Sequence, residues 1–195
     1  ASDLLKYKSV IQQLMNELVS MPASQVDYYM PKIFWIAGFF NDPEMNKFME
    51  KHRNAENISI ASNILKVLIK NNLEYKSKNI ERIAEKPLLR HDLYNFLASS
   101  HSLALMPGKY SSQASIAESD LYVYMDSEDY EITDSRYYGT RDLPYNDTLQ
   151  RFYLYRLEST WENETEVIYQ VAGPYPVDNS IPKISSDVAT GIYWS

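Results

Sequence analysis

Ile36-Ala37-Gly38-Phe39-Phe40-Asn41-Asp42-Pro43-Glu44-Met45-Asn46-Lys47-Phe48-Met49 holds a helix ending and a helix beginning in one short run. The apolar stretch reaches Gly38, and Asn41-Asp42-Pro43 restarts the chain. An Asp side chain caps by accepting the free N–H groups of a first turn, and Pro suits the first helical position because its missing N–H would be unpaired there. Met45, Phe48 and Met49 then fall on one side, as a helix period requires. This opening is helical, and the rest of the fold depends on where that character stops.

Upstream, Leu4, Tyr7, Ile11, Leu14 and Leu18 recur at alternating steps of three and four, and Leu5, Met15 and Val19 widen the stripe. The spacing predicts a helix over 3–19, capped by Ser2 or Asp3 and ended by Met21-Pro22. Its near-heptad period allows a homodimer through this N-terminal helix, but over only about two heptads. A second helix is expected from Gln25 to Phe40, with Pro31 in its first turns and Gly38 loosening its end. A further helix is expected from Ile58 to Leu73, and two short ones, 78–86 and 88–99, flank Pro87.

After Pro107-Gly108 the pattern changes, and twelve of the 17 tyrosines follow residue 108. Leu121-Tyr122-Val123-Tyr124-Met125 is rich in strand formers. The turn-like Asp126-Ser127-Glu128-Asp129 and the extended Tyr130-Glu131-Ile132-Thr133 make it a hairpin. Phe152 to Leu157, Glu166 to Val171 and Val188 to Trp194 read as further strands, with Gly173-Pro174 interrupting. The class is α+β: an N-terminal helical stem and helices over 1–108, then an antiparallel sheet with pocket loops over 109–195, forming one continuous domain.

Composition narrows the function. The formal net charge of -7 argues against nucleic acid. The acidity is uneven: residues 1–108 carry 13 Lys/Arg and 11 Asp/Glu, whereas 109–195 carry 6 and 15. The absence of cysteine removes disulfides, thiolate catalysis and Cys-type zinc sites. No apolar run is long enough to span a membrane. With no initiator Met and no signal peptide, the chain reads as a mature product or part of a longer protein. The N-x-S/T sequons at Asn57, Asn146 and Asn163 carry no information at this frequency.

Catalytic chemistry finds little support. There is no G-x-S-x-G, and His52, His91 and His101 read as surface or satisfied buried imidazoles. The acidic run Asp126, Glu128, Asp129, Glu131, Asp134 lacks the central Gly and the terminal Glu of a calcium loop, and reads as a charged turn. The glycines never cluster, so no phosphate cradle is expected, and no cofactor or metal is assigned.

The densest constellation is Tyr137-Tyr138-Gly139-Thr140-Arg141-Asp142-Leu143-Pro144-Tyr145, with Trp161 and Gly173-Pro174-Tyr175-Pro176-Val177-Asp178 downstream. A small-molecule pocket needs an aromatic wall, a planar cation for a carboxylate and an acceptor for an amine. Arg141, Tyr145, Trp161, Tyr175 and Asp178 offer those groups, with Arg141 and Asp178 expected at one cavity. The same residues also fit a loop salt bridge from Arg141 to Asp142 or Asp178, with the aromatics in the core.

"IAGFFNDPEMNKFMEKH", "DLYVYMDSEDYEITDSRYY", "YGTRDLPYNDTLQRFY" and "VAGPYPVDN…VATGIYWS" together resemble passages of extracytoplasmic PAS-like sensor domains of the Cache (PDC) type. Two departures stand out: Glu128-Asp129 replace the turn glycine, and Leu143-Pro144-Tyr145 replace the paired aromatics of amino-acid-binding members. The resemblance implies a PAS-like sheet and a ligand-sensing module on the periplasmic side of the inner membrane. It would belong to a membrane-anchored histidine kinase, diguanylate cyclase or chemotaxis transducer and continue past Ser195. Its ligand, a carboxylate or amine, would act by population shift through the N-terminal helix. Two alternatives come from the residues alone. One is a secreted or surface adaptor whose Tyr-rich face binds protein; the other is a carbohydrate-active periplasmic enzyme using two carboxylates.

Overall fold

The computed structural model describes residues 2–25, 31–127, 131–161 and 164–182. The chain forms two compact units, Ala1–Ile83 and Ala84–Ser195. Helices precede an antiparallel sheet, so the class is α+β.

In the first unit α1 (Ser2–Ser20), α2 (Lys32–Ala37), α3 (Pro43–Lys51) and α4 (Ile58–Lys70) build the core, and α5 (Ser77–Ala84) follows. Asp42 caps α3 by accepting from the Glu44 and Met45 N–H groups at 3.0 and 3.2 Å. Asn57 does the same for α4, accepting from Ser59 and Ile60. On α1 the stripe that packs inward is Ile11, Met15 and Leu18, whereas Tyr7 and Leu14 lie exposed. The expected stripe mixed two faces that the helix separates. Those three residues pack with Phe34, Met45, Met49, Ile64 and Leu68. Gly38 does more than loosen a helix end: a Cβ there would stand 2.6 Å from Val67 Cγ2 on α4, so its bareness allows close approach.

The second unit holds α6 (Pro87–Ser99), α7 (Gln113–Ser127) and three long strands: β1 (Glu131–Tyr145), β2 (Thr148–Trp161) and β3 (Glu164–Pro176). The sheet is a meander in the order β1-β2-β3, antiparallel throughout. Asn146 and Asp147, both at positive φ, turn the chain between β1 and β2. Asn and Asp tolerate that conformation better than other non-glycine residues. Composition changes at residue 108, whereas the compact units divide after Ile83, because α6 packs on α7 and α7 on the sheet.

Leu121–Met125 is not a strand. It lies in α7, where Ala117, Leu121 and Met125 fall four apart on one buried side and Val123 points outward. Packing one face against the sheet outweighs the small helix penalty of Val and Tyr. The hairpin expected over 121–133 is therefore replaced by the one between β1 and β2. The pocket-loop reading of Tyr137–Tyr145 also changes, since this run is the second half of β1. The expected strand at Val188–Trp194 lies outside the described residues, and so do Glu128 and Asp129.

Candidate functional site

Strand alternation gives the sheet two faces of different chemistry. On the inner face β2 contributes Tyr153, Tyr155 and Leu157, which pack with Ala117, Leu121 and Met125 of α7 and with Tyr175 of β3. Burying so many phenols requires acceptors for their hydroxyls. The Tyr153 hydroxyl donates to Gln113 Oε1 at 2.6 Å and the Tyr155 hydroxyl to the Ala114 carbonyl at 2.5 Å. The Tyr175 hydroxyl donates to Asp120 Oδ2. Burial, first of all, pushes the Tyr155 and Tyr175 phenols far above the usual range, and the Asp120 carboxylate reinforces this at Tyr175.

Asp120 joins three elements. Its other oxygen meets Nδ1 of His91 on α6, whose side chain is 1% exposed. The remaining ring nitrogen, Nε2, faces the Pro182 carbonyl at 3.4 Å. Arg90, the residue before, is equally occupied: it donates to the Ala84 carbonyl at 2.8 Å and the Ser115 carbonyl at 2.9 Å, and pairs with Glu118. Gln113 Nε2 then ties down the exit of β3, donating to the Pro176 and Ser180 carbonyls at 2.9 and 2.7 Å. A His–carboxylate pair is a familiar base arrangement, but a general base needs a free ring nitrogen within reach of a substrate. Here both nitrogens face acceptors and the ring is sealed, so the cluster ties α6, α7 and β3 together.

The outer face carries Asp134, Arg136, Arg141, Leu143 and Tyr145 from β1, Phe152, Leu154, Arg156 and Glu158 from β2, and Val167, Tyr169 and Val171 from β3, as the cross-strand pairs require. Tyr138 sits in the register shift between Tyr137 and Gly139. Its ring meets that of Tyr169 edge-on at 5.7 Å, and the two side chains are 64% and 57% exposed.

The sequence-predicted residues divide between these surroundings. Arg141 is exposed on the outer face, and its guanidinium donates to the carbonyl of its neighbour Thr140 at 3.0 Å. Tyr145 shares that face, half-buried with its ring edge-on to Phe152 at 5.9 Å. Tyr175 lies on the inner face, bonded to Asp120. Asp178 is exposed in the turn after β3 and accepts from the Ser180 N–H at 2.9 Å. The Ser180 side chain and then its N–H hold the Asp178 carboxyl below its usual range. Trp161 ends β2, and its side chain lies outside the described residues. Among the described residues no hydrogen bond or ion pair joins Arg141 to Asp178.

On the sheet, Arg151 grips a carboxylate with a two-pronged contact that sequence reasoning missed. It holds Asp142 through two N–H groups at 2.8 and 2.9 Å and also reaches Asn179. That fork holds the Asp142 carboxyl below the ordinary range. Arg151 lies directly opposite Asp142 across the strands, a pairing that becomes visible only once the register is known.

Among the described residues no three His, Asp or Glu side chains stand where they could hold a metal ion, and no helix is long and apolar enough to cross a membrane. Compared with family models, curated proteins and solved structures, the chain matches none of them.

Proposed function

We propose that this chain is a recognition module that binds a partner protein through the outer face of its sheet and carries out no covalent chemistry. The exposed Tyr138–Tyr169 pair supports this reading most directly. An antiparallel sheet with one face on helices normally turns polar residues outward. Here the outward positions also include Val167, 48% exposed, and the arginines of β1. Tyr and Arg are the residues enriched where binding energy concentrates at protein interfaces. The test is a peptide-display selection on the wild-type protein, counter-screened with a Tyr138→Ser/Tyr169→Ser variant shown by circular dichroism to be folded. Selected peptides should bind the variant at least ten times more weakly, and equal binding to both forms would refute the reading.

A small-ligand sensor of the Cache type, extracytoplasmic and membrane-anchored in a longer protein, is the second reading. It is favoured by Arg141 and Tyr145, which share one face of β1 with Leu143 between them. An aromatic carboxylate spanning them would stabilise the folded state by mass action. A thermal-shift screen with aromatic carboxylates should then give a rise that Arg141→Ala abolishes. No rise with any of them removes this reading and leaves the first intact.

A further inference from the structure

We infer that the partner segment recognised by the outer face is acidic and extended, with carboxylates about four residues apart and an apolar side chain between them. The inference rests on the docking reading above and specifies its chemistry. The half of the chain that builds the sheet, residues 109–195, has 6 basic and 15 acidic residues, yet Arg136, Arg141 and Arg156 share this one face. The remaining basic residue described on the strands, Arg151, is on the other face and held by Asp142. Positive charge is therefore concentrated where the tyrosines are exposed, against the balance of the surrounding surface.

Register adds an independent observation. Arg136 lies directly opposite Arg156. Like charges directly across a strand pair repel at about 5 Å between Cβ atoms. Glu158 partly relieves Arg156, through an ion pair at 2.8 Å. Among the described residues no hydrogen bond or ion pair holds Arg136. A carboxylate from outside, seated between the two guanidiniums and beside the Tyr138–Tyr169 pair, would turn this repulsion into two charge-assisted hydrogen bonds. Asp134 and Glu158 face each other two register steps along, so the segment's acidic groups are excluded from that end and directed the other way. In that direction lie Leu154, Val171 and then Arg141. Four register steps separate Arg136 from Arg141, the residue in the register shift aside, which is about 13 Å of strand. An extended segment spans that distance in four residues, and its middle side chain would lie over Leu154.

The probe is a labelled 15-residue peptide with glutamate at every fourth position and leucine midway between, set beside its glutamine counterpart. Binding is read by fluorescence anisotropy at about 20 mM and about 300 mM salt. The glutamate peptide should bind wild-type protein at least tenfold more tightly than the glutamine peptide at low salt. That preference should shrink at high salt and disappear in Arg136→Gln/Arg156→Gln. Equal binding of both peptides, with both lost in Tyr138→Ser/Tyr169→Ser, would overturn the acidic partner and keep the docking face. Failure of the glutamate peptide to bind, or binding unchanged in both variants, would overturn the acidic partner and count against the face itself.

Discussion

Replacing His91 by alanine removes a side chain that joins α6 to the Asp120–Tyr175 pair. The imidazole is 1% exposed and the Asp120 side chain 10% exposed, so the carboxylate left behind gains no full hydration in exchange. Tyr175 would still donate to Oδ2, but Oδ1 would face a void. Leaving a buried acceptor unsatisfied costs about 1–3 kcal/mol and the emptied ring site adds a cavity cost of roughly 2 kcal/mol, about 3–5 kcal/mol together. At roughly 4 °C per kcal/mol for a unit of this size, the melting temperature should fall by about 12–20 °C. Near-UV circular dichroism of the tyrosines is the appropriate signal in urea or heat, because twelve of the 17 follow residue 108 and report the second unit. Arg141→Ala, on an exposed side chain bonded among the described residues only to its neighbour's carbonyl, is the matched control and should change stability by less than about 0.5 kcal/mol. In a double-mutant cycle His91→Ala and Asp120→Ala should couple by more than about 1.5 kcal/mol. A His91→Ala cost under about 1 kcal/mol, or additive single losses, would show that the pair holds nothing together.

Gly173 sits at φ +144°, and a Cβ there would lie 2.9 Å from the Arg151 carbonyl oxygen and from Phe152 Cδ1, so Gly173→Ala should cost about 1–3 kcal/mol in urea denaturation. Asp42→Ala removes the α3 cap and the 2.6 Å contact with Lys8 and should destabilise the first unit by about 0.5–2 kcal/mol, read by helix ellipticity. Lys8, first of all, holds the Asp42 carboxyl below its ordinary value. Its contribution is therefore present above the unfolded pKa, about 4, and lost as pH falls through the folded one; acid unfolding of Asp42→Ala should show less pH dependence there. Tyr155 and Tyr175 are raised far above the usual phenol range, so the folded state keeps protons that the unfolded state releases above pH about 10. Stability should fall as pH rises beyond that point, and a 295 nm titration should show these two phenols ionising only with unfolding.

The helical opening was legible because its signals are local. Asp42-Pro43 marks a cap and a first turn whatever lies around it, whereas the Asn57 cap of α4 emerged only from the structure. The strands at 152–157 and 166–171 were equally legible, through alternation and β-branched or aromatic residues. Leu121–Met125 was not, since five residues rich in Tyr and Val fit either period and only the neighbouring sheet selects the helix. The candidate site was legible as a set of residue types and illegible as an arrangement. Arg141 and Tyr175 looked like members of one pocket, yet they occupy opposite faces of the sheet. His91 carried no motif at all, and its residue type fitted a surface or a satisfied buried imidazole alike. Its partner Asp120 lies a helix away in sequence.

By itself, then, the amino-acid order determined what depends on neighbours within a turn or two: the caps, the stretches of extended chain, the concentration of tyrosine and acid in the second half. Tertiary structure alone decided which side chains face each other. A strand's side chains alternate, so one residue of register moves every group to the other face. That choice set Arg151 against Asp142 and Arg136 against Arg156. It also turned Tyr175 inward to Asp120 and left Tyr138 and Tyr169 outside, because burying a face against α7 is a property of the whole unit and not of any local stretch.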